Sequence, residues 1–218
     1  MNDHSPWTAC FPNVYRAVGE VPLFGPFRAP GGMFMILADG ARILVDPFAL
    51  PDLSGLETLG IPTHIVICGS NHVRDAAFYR KLYGAKVCAH RDLMSHISVS
   101  VDLFFESGDV LPGNMQAVGM PGTFRGETVL MHHAHGKTAM IAGDAFFNLQ
   151  QKDFKVPGMR LVGFRAELNT MPRFFIQKGG RESYRRILDC DFDALLVSHG
   201  EPILENAKDC VRNLVDSL

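Results

Sequence analysis

The residues of this chain that could do chemistry stand one at a time, where apolar runs stop. In "VICGSNHVRDAAFYRKLYGAKVCAH" (66–90) an apolar strand enters a short polar turn, then a helix, a Gly-Ala turn and a second strand. That setting suits a metal-binding turn, where several histidines and an aspartate are expected, yet only His72 stands in it. Asp46 ends "ILVD", and a strand-end aspartate commonly forms a turn by accepting backbone N–H groups. Asp144 follows Gly143 at the end of "MIAGD", a place where sheets set functional groups, although it could equally cap the next element. His199 lies in "SHGEP", where Gly200 permits a tight turn; a ligand and a histidine bonded to backbone are both open readings.

Other candidates are read differently. In "HHAHGK" (132–137), His133 and His135 would face one side of a strand and His132 the other, at a hairpin tip expected to be solvated. Ser183 and Tyr184 lie on a helix with no histidine base nearby in sequence, and no Gly-x-Ser-x-Gly elbow exists. Cys68, beside the polar turn, could be a nucleophile with His72 as base, but a buried thiol in an apolar strand is the commoner arrangement. Residues 150–176 set Lys152, Lys155, Arg160, Arg165 and Arg173 among Phe, Met and Leu. Arg160 and Arg165 could pair with the carboxylate or phosphate of a small anionic ligand. The same segment could instead cover the core or meet a second subunit, as in a homodimer.

Elements that could position these residues alternate along the chain. Strands are expected at 13–19 and in a hairpin over 33–48 turning at Asp39-Gly40, with "PFRAPGG" as a loop between them. A short helix over 52–60 and a strand over 63–68 follow. A helix over 74–84 places Ala77, Phe78, Leu82 and Tyr83 at helical spacing before Gly84. Further strands are expected at 85–90, 109–111 and 115–119, with a short helix over 91–97. A second hairpin spans 128–144, and a helix (181–191), a strand (194–200) and an amphipathic helix (204–218) close the chain. Hairpin-rich blocks alternating with helices, repeated in the second half, point to an α/β sandwich.

Composition bounds the rest. The 218 residues, 47% hydrophobic, are enough for one sizeable core, and a single domain over 1–218 is expected. A net charge of −2 gives no footprint for nucleic acid. No run of 18 apolar residues suggests a membrane span, so a cytoplasmic chain that binds a small molecule or itself is expected. Five scattered cysteines without a C-x-x-C pair suggest free thiols, not a disulfide framework or a thiolate zinc site.

Five stretches, in order, resemble the motifs of the metallo-β-lactamase superfamily: "ILVDPF", the 66–90 segment, "PGTFRGETVLM", "MIAGDAFF" and "LLVSHGEPI". The resemblance implies a four-layer αββα sandwich with its site where strand ends converge. It also exposes departures. The second motif, usually His-x-His-x-Asp-His, is degenerate here. Counting back from the following helix and strand puts His72 on its last histidine and Asn71 on its aspartate; counting forward from the preceding strand puts Arg74 in the last position. Both counts remove the His-x-His pair, leaving Ile67 and Gly69 or Gly69 and Asn71. Thr123 stands where the third motif has its histidine, so the first metal position is expected to be absent.

What the resemblance leaves is His72, Asp144 and His199, a set suited to at most one divalent metal, zinc or iron, per chain. Asp144 would also orient a water. Asp46, Asn71, Arg74 and Thr123 would be structural neighbours, Asn71 supplying no charge. On the second count Arg74 would pair with Asp144 and take the place of the ion. The expectation is a hydrolase-lineage protein with a reduced metal centre, either a one-metal hydrolase or a non-catalytic binder.

Overall fold

The computed structural model describes residues 6–24, 27–149, 168–170 and 176–218. The hairpin at Asp39-Gly40 forms: β3 (Phe27–Ala38) and β4 (Ala41–Val45) pair antiparallel from Phe34↔Val45 to Ala38↔Ala41. Asp39 and Gly40 both take positive φ (49° and 76°), as a type I′ turn requires. Strand β3 begins earlier than expected. Residues 28–32, read from sequence as loop, pair with β2 (Val14–Phe24), because a partner strand supplies ladder bonds that composition does not reveal. β1 (Trp7–Phe11), which the sequence did not signal, pairs with β2.

From β4 the sheet continues in parallel through β5 (His64–Ile67), β6 (Lys86–His90) and β7 (Leu103–Phe105). Helices α1 (Ser54–Leu59) and α2 (Ala76–Tyr83) make two of the crossovers. Where a helix over 91–97 was expected there is only a 3-10 turn, Arg91–Leu93. Helix α2 buries Ala76 and Tyr79, whereas Phe78 and Leu82 are exposed. The expected face was wrong because the helix starts at Ala76 and the Tyr79 hydroxyl is drawn inward to donate to the Phe48 carbonyl.

The second block runs β8 (Val110–Leu111), β9 (Met115–Gly119), β10 (Thr128–Ala134) and β11 (Lys137–Asn148) antiparallel, with β12 (Ala194–Gly200) parallel to β11. Helices α3 (Gly180–Ile187) and α4 (Ala207–Asp216) cover it. The two blocks meet at one antiparallel pair, His199↔Gly31, between β12 and β3. His132 on β10 is buried against the edge of Phe11, with ring centroids 6.5 Å apart, although it was read as part of a solvated tip. The β1–β2 end covers that side of the sheet; His133 and His135 are exposed.

Period-two alternation builds the layers. On β5, Ile65 and Ile67 face one apolar cluster with Leu56 and Tyr79 of the helices, while Val66 faces another with Phe34, Ile43, Leu130 and Leu196. On β12, Leu195 and Val197 face a third cluster with Tyr184, Ile187 and Val211. Two helix-sheet cores around one inter-sheet core are the αββα sandwich. Each fully buried Leu or Ile contributes roughly 1.5–3 kcal/mol relative to exposure, enough to fix the register that aims the polar residues at the strand ends.

Candidate functional site

Asp46 follows β4 in a left-handed conformation (φ 52°), which aspartate tolerates better than most side chains. Its Oδ1 accepts the Cys68 N–H at 2.8 Å, clamping the ends of β4 and β5 together. Its Oδ2 lies 2.6 Å from His72 Nδ1. His72 sits in a 3-10 turn, Ser70–His72, whose backbone is tied to the second block by the Ser70 N–H donating to the Arg125 carbonyl at 3.1 Å. With Nδ1–H donated to Asp46, the other ring nitrogen, Nε2, faces Asp144 Oδ1, 3.1 Å away.

Asp144 reaches that position through a bulge in β11. Ala142 pairs with Val197 and Phe147 with His199, so five steps on β11 match two on β12 and the intervening residues are thrown out of the ladder. His199 ends β12 between Phe147, stacked on its ring at 5.4 Å, and Gly31. Its Nδ1 lies 3.4 Å from the Pro30 carbonyl, and its Nε2 lies 3.3 Å from the same Asp144 Oδ1. Gly200 is needed after it: φ is 98°, and a Cβ there would stand 2.0 Å from the Asn148 carbonyl oxygen.

One donor atom each from His72, Asp144 and His199 therefore falls within 4.8 Å of the others, all three residues being buried. His72 Nε2 has no aligned hydrogen-bond partner although Asp144 is close. Two imidazole nitrogens and a carboxylate oxygen converging in this way form a group that can hold a divalent metal. The exposed Asn71 donates its amide to the other Asp144 oxygen, Oδ2, at 2.9 Å. Asn71, expected to stand beside the site without supplying charge, thus holds the carboxylate of Asp144.

Both residues that the two counts put in the last position of the second motif lie at the cluster. Arg74 takes a positive φ (36°), the chain doubles back after the 3-10 turn, and both His72 and Arg74 enter the site. Arg74 does not pair with Asp144 as the second count expected. Its Nη1 donates to the Asp46 carbonyl at 3.2 Å and lies 3.5 Å from that of Gly32, while Nη2 lies 3.4 Å from His199 Nε2. Thr123 donates to the Met120 carbonyl. The Cys68 thiol is buried, and burial raises its pKa well above the ordinary value, so it is not set up as a nucleophile. Arg160 and Arg165 lie outside the described residues.

Burial and the Arg74 charge pull the His72 pKa down, but Asp46 and Asp144 outweigh them and raise it to about 9. Burial holds His199 below its ordinary value, which favours the neutral ring. Asp144 resists its burial and is held well below the ordinary carboxylate range by the two histidines.

Sequence reasoning passed over Glu127. Its side chain is buried, Oε1 accepts the Ala145 N–H at 2.8 Å, and Oε2 has no partner among the described residues. Burial, then the Asp144 charge, raise its pKa well above the carboxylate range. A charged residue between Gly126 and the apolar strand "TVLM" was the available signal.

The fold is an αββα sandwich carrying this polar cluster, and comparison with known proteins gives its family. The sequence profile described as "Metallo-beta-lactamase superfamily" matches residues 31–157. That is more than half of the chain, which belongs to this superfamily. Among solved structures, a metallo-beta-lactamase from Pontibacter korlensis superposes with a TM-score of 0.67 at 12% identity, covering 97% of this chain and 99% of its own. A metallo-beta-lactamase family protein from Thermus thermophilus gives 0.63 at 17% identity, covering 96% and 79%. A Cronobacter sakazakii protein titled as having a HARLDQ motif gives 0.59 at 18% identity, covering 89% and 78%. At such identities these likenesses show the fold alone. Among curated proteins, no relative matches this chain.

Proposed function

We propose that this protein binds a single divalent metal on His72 Nε2, Asp144 Oδ1 and His199 Nε2, does not build a two-zinc centre, and is a one-metal hydrolase of a small, anionic substrate. The carrying observation is the His72 Nε2 atom: its ring is fixed by Asp46, and it lies within 4.8 Å of ligand atoms of Asp144 and His199 without an aligned hydrogen bond of its own. A metal bound by two imidazoles and one carboxylate keeps open positions and lowers the pKa of bound water toward neutrality. The chain's own residues do the rest. Asp46 fixes the tautomer of His72, Asn71 holds Asp144, and the fixed charge of Arg74 beside His199 favours a carboxylate or phosphate on the substrate.

A second reading is favoured by charge balance. Two carboxylates, Asp46 and Asp144, already face two cations, Arg74 and the imidazolium of His72. In that state the cluster is neutral without an ion, and the protein is a non-catalytic binder in which protein charge replaces the metal.

Zinc affinity of tag-free wild type, His72→Ala and Arg74→Ala separates the readings. Loss on His72→Ala alone supports the one-metal hydrolase, to be followed by metal-dependent turnover of carboxylate and phosphate esters. Binding that emerges only in Arg74→Ala overturns it in favour of the second reading.

A further inference from the structure

Glu127 fits the site too closely to be an incidental buried acid. Its two carboxyl oxygens lie against two glycines from different motifs. A Cβ built on Gly69 would stand 2.4 Å from Oε2, and one on Gly143 would stand 3.1 Å from Oε1. Gly69 is the one position that both alignments of the degenerate second motif assign to a lost histidine. A carboxyl contributed by the third motif, just before β10, therefore fills room that a side chain at 69 would need. Its Oε1 also accepts the N–H of Ala145, the residue next to Asp144 in the β11 bulge.

We propose that Glu127 is a positioning residue for Asp144: seated between Gly69 and Gly143, it replaces the bulk lost from the second motif and pins the bulge that aims Asp144 at His72 and His199. The site is then a rebuilt centre, closed on its missing side from within. Without the carboxyl, the Ala145 N–H loses its acceptor and a gap opens beside Asp144, so the carboxylate is free to turn from the two Nε2 atoms. The proposal rests on the one-metal reading only for its effect on metal affinity.

The test uses the full chain, freed of metal, with wild type, Glu127→Gln, Glu127→Ala and Gly69→Ala compared. Ala145 amide exchange and the ring-nitrogen resonances of His72 and His199 report the position of Asp144 without any ion. Glutamine keeps an oxygen for the Ala145 N–H, so Glu127→Gln should leave these signals as in wild type. Glu127→Ala should lose Ala145 protection and shift both rings. Gly69→Ala, which displaces the carboxyl from the other side, should shift them in the same sense. Zinc affinity should fall tenfold or more in the two alanine variants and stay within about threefold in Glu127→Gln. Unchanged ring signals in folded Glu127→Ala or, where that variant does not fold, in Gly69→Ala overturn the proposal. Failure of every form to bind zinc overturns the one-metal reading instead, while the ring signals still decide the role of Glu127.

Discussion

His72 Nδ1 lies 2.6 Å from Asp46 Oδ2, both side chains fully enclosed, and this pair determines which nitrogen of His72 faces the site. A proton or a metal must occupy the space between the opposite nitrogen and Asp144, since two lone pairs cannot face each other at 3.1 Å unaided.

The first prediction concerns number. Tag-free protein dialysed against excess zinc should retain at most one tightly held ion per chain by elemental analysis. Gly69, Thr123 and either Ile67 or Asn71 supply no imidazole for a second ion, and the room beside Gly69 is taken by Glu127. Two ions per chain bound at the strand ends would show that other residues replace the lost ligands.

Asp46→Asn keeps the size of the side chain but removes the charge behind His72. Partners of this kind typically alter metal affinity 10–100-fold, and a loss of about that size is expected here. Titration with a chromophoric chelator measures it. An unchanged affinity would mean that Asp46 acts only as the clamp between β4 and β5.

Arg74→Ala should raise zinc affinity about tenfold or more, because a unit positive charge bonded to His199 Nε2 competes with a divalent ion for the same ligand. Competition dialysis against wild type reads the difference. A fall would mean that Arg74 holds His199 in place rather than opposing the ion.

Stability of the metal-free protein should depend on pH through His72. Its folded pKa, about 9, lies above the ordinary value of 6.5, so the folded state binds the proton more tightly than the unfolded chain. This contribution is complete below pH 6.5, shrinks as pH rises towards 9, and is roughly 3 kcal/mol at most. Urea unfolding in chelator at pH 6, 7.5 and 9 should show the decline in wild type and a flatter profile in His72→Gln. The same slope in both would place the titration elsewhere.

Gly200→Ala should cost about 2–4 kcal/mol, since the backbone is left-handed and the new methyl meets the Asn148 carbonyl. Thermal unfolding tests this, and a neutral result would show that the end of β12 can shift without loss.

Local pattern was sufficient for much of the fold. Alternation on β5 and β12, the Asp39-Gly40 turn and the amphipathic last helix are short-range properties, written in residues a few positions apart. They located Asp46 and His199 at strand ends, and the order of the motifs placed the chain in its superfamily, but Asp144, read as a strand end, lies in a bulge within β11, which continues to Asn148. Tertiary structure decided what those residues face. Residues 28–32 became strand because β2 lies beside them, and helix α2 turned Phe78 outward because Tyr79 reaches Phe48. His72 and Arg74, alternatives along the sequence, share one site because a left-handed residue folds the chain back between β5 and α2. Glu127 could not be recognised from its neighbours in sequence at all. Its partners are Gly69, Gly143 and Ala145, brought to it from other elements, and only their meeting makes a buried carboxyl part of the site. Short-range periodicity in the sequence determines what strands such as β5 and β12 bury on each face; the distances on which ligation and charge depend arise only when elements far apart in the chain are packed together.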